Sequence, residues 1–277
     1  MPTIAYLGPE HTNTHLAALK RFGRRSRYMH APTIEDVFRL VERHKATYGV
    51  VPIENSLQGA VTFTLDWFIQ SRGSSITIQG DIELPIRHFL ITLGLTKPRQ
   101  IAAIKGVFSH PQVLSQCDEW LRKHMPHAIR QETNSTSEAV WTVMRVGGAA
   151  IGTREVARQY GLAAVPIPMS RNNKTRFLII GLGDAQRGRT NKTSILFALK
   201  DKPGALHDAL VPFKYHHINL TKIESRPSKR KAWEYLFFID FEGHKSEPRV
   251  KRTLKALEKS TTFLRILGSY PTRKSSS

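Results

Sequence analysis

The chain of 277 residues holds a single cysteine, Cys117. One thiol cannot form an intrachain disulfide, and a zinc site built from several thiolates is ruled out as well. Cys117 is expected in a helix core. Acidic side chains are scarce too: 22 Asp and Glu face 42 Lys and Arg, a formal charge of +20. Nowhere does the sequence hold the roughly 18 consecutive apolar residues that a membrane helix needs. Met1-Pro2-Thr3-Ile4 leads into a strand-like run instead of a basic, apolar leader, so the cytoplasm is the default address. Also missing are the Gly-x-x-x-x-Gly-Lys-Ser/Thr loop, the Gly-x-Ser-x-Gly elbow and His-Glu-x-x-His. Their absence speaks against nucleotide-driven chemistry, serine hydrolysis and zinc proteolysis. No cofactor and no metal are expected.

What is present is a soluble, globular composition with 40% hydrophobic residues and a basic excess spread along the chain. Residues 1–183 carry 22 basic and 13 acidic side chains, and residues 184–277 carry 20 and 9. Zinc-finger spacing, a basic helix followed by heptads and an RNA-binding strand signature are all lacking. A basic surface that attracts small anions is the better reading, and nucleic acid is disfavoured as a partner.

Up to residue 183, short apolar runs alternate with amphipathic stretches, which predicts an α/β fold with parallel sheets covered by helices. Strands are expected at Thr3–Leu7, Tyr48–Val51, Gly106–Ser109, Ala149–Gly152 and Phe177–Leu182. Helices are expected to start at Thr12, Thr33, Val61, Pro111, Ser135 and Thr153, several with a hydroxyl placed to cap the first turn. Two longer runs, Ser75–Glu83 and Arg87–Leu93, read as a crossover between two lobes, with the return near 166–176. The polar, glycine-rich stretch 184–191 reads as a linker. Beyond it, 192–270 reads as a ferredoxin-like βαββαβ unit, with one strand from Trp233 to Phe241. Residues 271–277 form a polar tail expected to be disordered.

The chemistry-bearing residues lie at strand ends and helix starts. Thr175-Arg176 precede the apolar run Phe177-Leu178-Ile179-Ile180. A planar guanidinium fork matches a carboxylate, and a threonine hydroxyl both gives and accepts a hydrogen bond. Gly8-Pro9-Glu10-His11-Thr12 turns from a strand into a helix, where free N–H groups favour an anion and a hydroxyl equally serves as a cap. Pro52-Ile53-Glu54-Asn55-Ser56 repeats that design. Bracing of the turn is the better reading for Glu54 than acid–base work, and Asn55 and Ser56 are the better ligand contacts. Ser109-His110-Pro111-Gln112 and Asn134-Ser135-Thr136 open helices in the second lobe. His110 there is a proton shuttle or, more commonly, a hydrogen-bonded structural residue. All these turns are expected to face one cleft.

With these segments in this order, nearly the whole chain resembles prephenate dehydratases of the monofunctional type that end in an ACT regulatory domain. The matching hallmarks are Gly8-Pro9-x-x-Thr12, Pro52–Ser56, Ser109–Gln112 and Thr175–Phe177, then Gly204-Ala205-Leu206 and Glu224-Ser225-Arg226-Pro227. The resemblance implies a catalytic part of periplasmic-binding-protein-like, two-lobed type. It implies that prephenate loses carbon dioxide and hydroxide to give phenylpyruvate on the way to phenylalanine. In that reaction Thr175 would serve the departing hydroxyl and Arg176 a substrate carboxylate. Thr12, Asn55, Ser56, Gln112 and Phe177 would form the rest of the substrate site. Phenylalanine would bind as allosteric effector at Gly204, Ala205, Leu206, Glu224, Ser225, Arg226 and Pro227, between ACT domains of a homodimer or homotetramer. One departure stands out: His11 holds a place where the family usually has glycine, a conformational cost if φ there is positive. Arogenate dehydratase and a non-catalytic amino-acid sensor are the alternative readings.

Overall fold

The computed structural model describes residues 1–71, 73–168, 172–228 and 235–272. Residues 273–277 of the expected tail, the first residues of the strand expected from Trp233, and part of the expected return near 166–176 lie outside them. Pro271, expected in that disordered tail, instead ends the last strand, and Thr272 N–H donates to the Thr190 carbonyl. Three sheets organise the chain. The first contains β1 (Thr3–Leu7), β2 (Arg27–Ala31), β3 (Tyr48–Asn55), β4 (Gly59–Ala60) and β5 (Ile76–Pro85). The second contains β6 (His88–Thr92), β7 (Gly106–Ser109), β8 (Ile129–Glu132), β9 (Ala149–Gly152) and β10 (Ala163–Ile167). The chain then returns to the first sheet with β11 (Lys174–Leu182), giving the order β2-β1-β3-β11-β5, with β4 beside β3. The order in the second sheet is β10-β6-β9-β7-β8. The third sheet, β13-β14-β12-β15, is built from β12 (Asn191–Leu199), β13 (Leu220–Pro227), β14 (Tyr235–Glu242) and β15 (Thr261–Pro271).

The first two sheets are mixed, not parallel throughout as the alternation predicted. Strand β11 runs antiparallel to both β3 and β5, and β6 runs antiparallel to β9 and β10. Returning strands enter from the opposite end, and hydropathy carries no information about direction. Each expected helix start is met. The helices are α1 (Asn13–Phe22), α2 (Ile34–Glu42), α3 (Thr62–Gln70), α4 (Pro98–Ala102), α5 (Pro111–Gln116), α6 (Asp118–His124), α7 (Thr136–Val146), α8 (Arg154–Gln159), α9 (Ala205–Tyr215) and α10 (Pro248–Ser260). The hydroxyls of Thr12, Thr33, Ser135 and Thr153 accept from the N–H three residues on, satisfying a donor that the helix itself cannot. None of the helices among the described residues is long and apolar enough to cross a membrane.

Helix α1 covers one face of the first sheet, where Ala17 and Ala18 meet Ile4, Tyr6, Val50 and Phe177. The other face is shared. Val37 and Phe38 of α2 and Trp67 and Phe68 of α3 pack there, and so do Leu196, Phe238, Leu267 and Tyr270 of the third sheet, in one continuous core. Helices α9 and α10 cover the far side of that third sheet. The third sheet is thus stacked on the first, and Asn191, expected to end the linker, already begins β12. Cys117, where α5 meets α6, is 1% exposed, and burial pushes its thiol up to about 12.

The stacked sheets approach closely at Gly268 of β15. A Cβ there would lie 2.3 Å from the carbonyl oxygen and 2.9 Å from the nitrogen of Ile78 on β5. Backbone cannot yield as a flexible side chain does. Gly268→Ala is expected to destabilise the chain by about 1–3 kcal/mol, the usual cost of overpacking, read from the urea midpoint. A shift below about 0.5 kcal/mol would show that β15 rides off β5 freely.

Candidate active site

Thr175 and Arg176 are neighbours in an extended strand, so their side chains leave it on opposite faces. Thr175 is half-buried and lies opposite Asn55, while Arg176 lies opposite Glu54. Asn55 Nδ2 donates to Thr175 Oγ1 at 2.9 Å, to Asn173 Oδ1 at 2.9 Å and to the Lys174 carbonyl at 3.1 Å. Its own Oδ1 accepts from the N–H groups of Leu57 and Gln58 at 3.0 and 3.2 Å. With its oxygen already accepting from Asn55, Thr175 keeps its O–H to give.

Arg176 has a different office from the one expected. Its side chain is 7% exposed and faces the third sheet. Nε donates to Asp81 Oδ2 at 2.9 Å, Nη1 to Glu54 Oε1 at 3.0 Å and to Asp240 Oδ2 at 2.6 Å, and Nη2 to Tyr270 Oη at 3.0 Å. Burial opposes the positive charge, but Asp240, Tyr270, Asp81 and Glu54 more than offset it and hold the guanidinium protonated. Lys222 joins from β13, 2.6 Å from Glu54 Oε2. Burial alone would raise the Glu54 carboxyl; Lys222 and Arg176 outweigh it and bring it below the usual range. The turn-bracing role expected of Glu54 gives way to ion pairing with Arg176 and Lys222, because its side chain leaves β3 on the face that meets the third sheet, while Asn55 braces the turn. The expected pairing of Arg176 with a substrate carboxylate gives way to pairing with the protein's own carboxylates. Phe177, expected at the substrate, is 1% exposed and packs in the core under α1.

The other expected residues are largely occupied in shaping turns. Thr12 Oγ1 donates to the Pro9 carbonyl at 2.9 Å and accepts from His15 N at 3.4 Å. Ser56 Oγ donates to the Asn172 carbonyl at 2.5 Å and accepts from Lys174 N at 2.9 Å, tying its turn to the start of β11. His11 does adopt a positive φ, 64°. Its N–H reaches His15 Nδ1 at 3.0 Å and its carbonyl accepts from Thr153 at 2.8 Å, which holds a conformation that costs a non-glycine residue about 1–2 kcal/mol. Burial, helped by His11, lowers the His15 pKa, with Glu10 opposing, so a neutral ring with Nδ1 free to accept is the consistent form. His110 caps α5, Nδ1 accepting from Gln112 N at 3.3 Å, and burial lowers its pKa against the pull of Glu132.

Polar bonds join the two lobes across these turns. Gln112 and Gln116 of α5 both donate to Gln58 Oε1, at 2.5 and 2.7 Å. Ser137 of α7 donates to the Glu10 carbonyl at 2.9 Å. Gln58 and Gln116 were not foreseen as site residues, since only the meeting of two distant segments gives such side chains a role. A separate groove of about 540 Å³ opens between α2 and α3, lined by Leu7, Ile34, Phe63, Trp67, Glu35 and Asp66 among others. It holds none of the residues expected at the site, and two carboxylates on its wall suit a dianion poorly.

In the third sheet, Gly204 caps α9 at φ 78°. Ala198 and Arg226 both pair with Leu236, which puts the end of β12, the start of α9 and Glu224–Pro227 at one end of the sheet. Arg226 itself turns to the first sheet's side and donates to Asp66 Oδ1 at 2.9 Å.

The family model for prephenate dehydratase matches residues 4–185, and that for the ACT domain matches residues 193–259. A bifunctional chorismate mutase/prephenate dehydratase of Aquifex aeolicus is 46% identical over 271 residues, 97% of this chain and 73% of that protein. A prephenate dehydratase of Methanocaldococcus jannaschii is 42% identical over 247 residues, 86% of each chain. Among solved structures, prephenate dehydratase from Arthrobacter aurescens in complex with L-Phe is similar with a TM-score of 0.87 at 30% identity, over 98% of this chain and 90% of that one.

Proposed function

The chain belongs to the prephenate dehydratase family, and from that premise we propose that it converts prephenate to phenylpyruvate in the cleft bordered by Thr175, Asn55 and the 8–12 and 109–112 turns. Residues 1–183 would form the catalytic part, 184–191 the linker and 192–270 the regulatory domain. The ring carboxylate departs as carbon dioxide, its bonding pair enters the ring, and the ring expels the hydroxyl as it becomes aromatic. Hydroxide is a poor leaving group, so the protein's most useful act is to donate hydrogen bonds to that oxygen. The observation that carries this reading is the bond from Asn55 Nδ2 to Thr175 Oγ1, which leaves the hydroxyl proton as the group to offer. A threonine is a feeble acid, so its part is stabilisation rather than proton transfer. Incubating the pure chain with prephenate, and separately with arogenate, while following the aromatic product tests it. Absence of product from prephenate would sink it.

Phenylalanine is the proposed effector, bound at Gly204–Leu206 and Glu224–Pro227 where two ACT domains meet in a homo-oligomer. Support comes from the intact segments at one sheet end and from the A. aurescens relative, which is described with L-Phe. Effector and substrate can influence one another only through a difference in affinity between two arrangements. The strand carrying Glu224–Pro227 touches the catalytic part through Lys222–Glu54 and Arg226–Asp66. Lys222→Met is therefore expected to raise the phenylalanine concentration for half-inhibition about tenfold, within the usual span of coupling energies, while uninhibited turnover changes little. Dose–response curves that coincide with the wild type would exclude this contact as the route.

A further inference from the structure

Among the described residues two buried side-chain atoms have no hydrogen-bond partner, Tyr6 Oη and Asn173 Nδ2. The second lies at the site. Asn173 is 1% exposed and stands two residues before Thr175 at the entry to β11. Its orientation is fixed by its neighbour. Asn55 Oδ1 is held by two backbone N–H groups, so Asn55 Nδ2 must point at Asn173, and Asn173 must answer with its oxygen. Turning the Asn173 amide over would set two donors face to face. The leftover amine therefore follows from the network.

A buried donor without an acceptor costs about 1–3 kcal/mol, and native chains keep few of them. Here the cost falls beside the Thr175 hydroxyl, which has a proton to give. The same Asn55 nitrogen reaches both Asn173 Oδ1 and Thr175 Oγ1 at 2.9 Å. Its single amide thus orients both groups, each left with a donor unspent, the half-buried Thr175 outside and the buried Asn173 within.

We propose that Asn173 is a catalytic residue whose carboxamide N–H, together with the Thr175 hydroxyl, forms a two-donor seat for the oxygen that leaves the substrate. The inference rests on the prephenate reading of the cleft. As the carbon–oxygen bond breaks, its electron pair goes to oxygen, both donors hold the developing charge, and solvent supplies the proton that makes water. Neither side chain gives up a proton. Shielding from bulk water makes such donors more effective than they are in solution.

Asn173→Asp is the discriminating variant, because it keeps the oxygen that Asn55 needs and replaces the donor by an acceptor. At saturating prephenate and pH 8, kcat is expected to fall about 100-fold, the scale of losing one oxyanion donor. Lowering the pH should restore it relative to the wild type, since a protonated carboxyl donates again. Asn173→Ala, which removes the amide and leaves Asn55 Nδ2 with Thr175 Oγ1 and the Lys174 carbonyl, should lose kcat at every pH. Thermal melting of each purified variant confirms the fold. A kcat within threefold of wild type in either variant overturns the proposal. So does a pH-independent loss in Asn173→Asp, or a change confined to KM, which a new carboxylate would cause merely by repelling a dianion. Wild-type turnover of prephenate in the same assay separates failure of this proposal from failure of the reading beneath it.

Discussion

Arg176→Met is expected to lower folding stability by about 3–5 kcal/mol, the scale of stranding buried charge. The guanidinium contacts Glu54, Asp81, Asp240 and Tyr270 at 2.6–3.0 Å in a site where its own side chain is 7% exposed. Remove it and three carboxylates converge on an apolar stem. Two of them retain a cation: Lys222 stays with Glu54, and Lys192, at 3.5 Å, with Asp81. Asp240 keeps the Ser194 hydroxyl at 2.5 Å, a neutral partner. Lysine at 176 would restore the charge without the planar fork, so Arg176→Lys should recover part of the loss. A denaturant titration measures both. A residue that bound substrate instead would show the reverse pattern, a raised KM at unchanged stability, and a stability loss below about 1 kcal/mol would return Arg176 to that role.

Thr175→Ala should show the complementary behaviour, with kcat on prephenate down about 10²–10³-fold and the denaturation midpoint nearly unchanged. The fold tolerates the change for a countable reason. Asn55 Nδ2 has two hydrogens and three acceptors, and without Thr175 it keeps Asn173 Oδ1 and the Lys174 carbonyl. Nothing buried is left unpaired by the substitution. Thr175→Ser keeps the hydroxyl and should keep most of the turnover. Turnover of Thr175→Ala within threefold of the wild type would remove this hydroxyl from the chemistry.

Local signals in the sequence were strong where a hydroxyl opens a helix, because such a cap satisfies free N–H groups whatever packs around it. Thr12, Thr33, Ser135 and Thr153 all illustrate this. Central strands were legible for a similar reason, being apolar on both sides. Two edge strands, β2 and β8, were not. Every residue of β8, Ile129–Glu132, is exposed, and β2 has only Ala31 buried, so neither carries the hydropathy pattern of a strand. At the site, residue identity was easier to read than direction. The alternation of an extended strand sends Thr175 and Arg176 to opposite faces, and only one of them can serve a given cleft. What the second face would meet depended on how the third sheet stacks, and no local pattern encodes that. Asn173 escaped notice because a donor is conspicuous only once its neighbours have been counted.

The closeness of Gly268 to Ile78 also bears on how the molecule can move. At Gly268 the backbones of β15 and β5 close on one another, and the shared apolar core resists sliding of the third sheet over the first. The lobes are held otherwise. Amides and hydroxyls at Gln58, Gln112, Gln116, Ser137 and Thr153 join them, and water can replace each of those bonds at little net cost. Two short connections, β5 to β6 and β10 to β11, carry the chain across. Motion between the lobes is thus expected to follow a hinge, with the third sheet held to the first lobe by their common core. An effector on that sheet would act by loading one arm of the hinge.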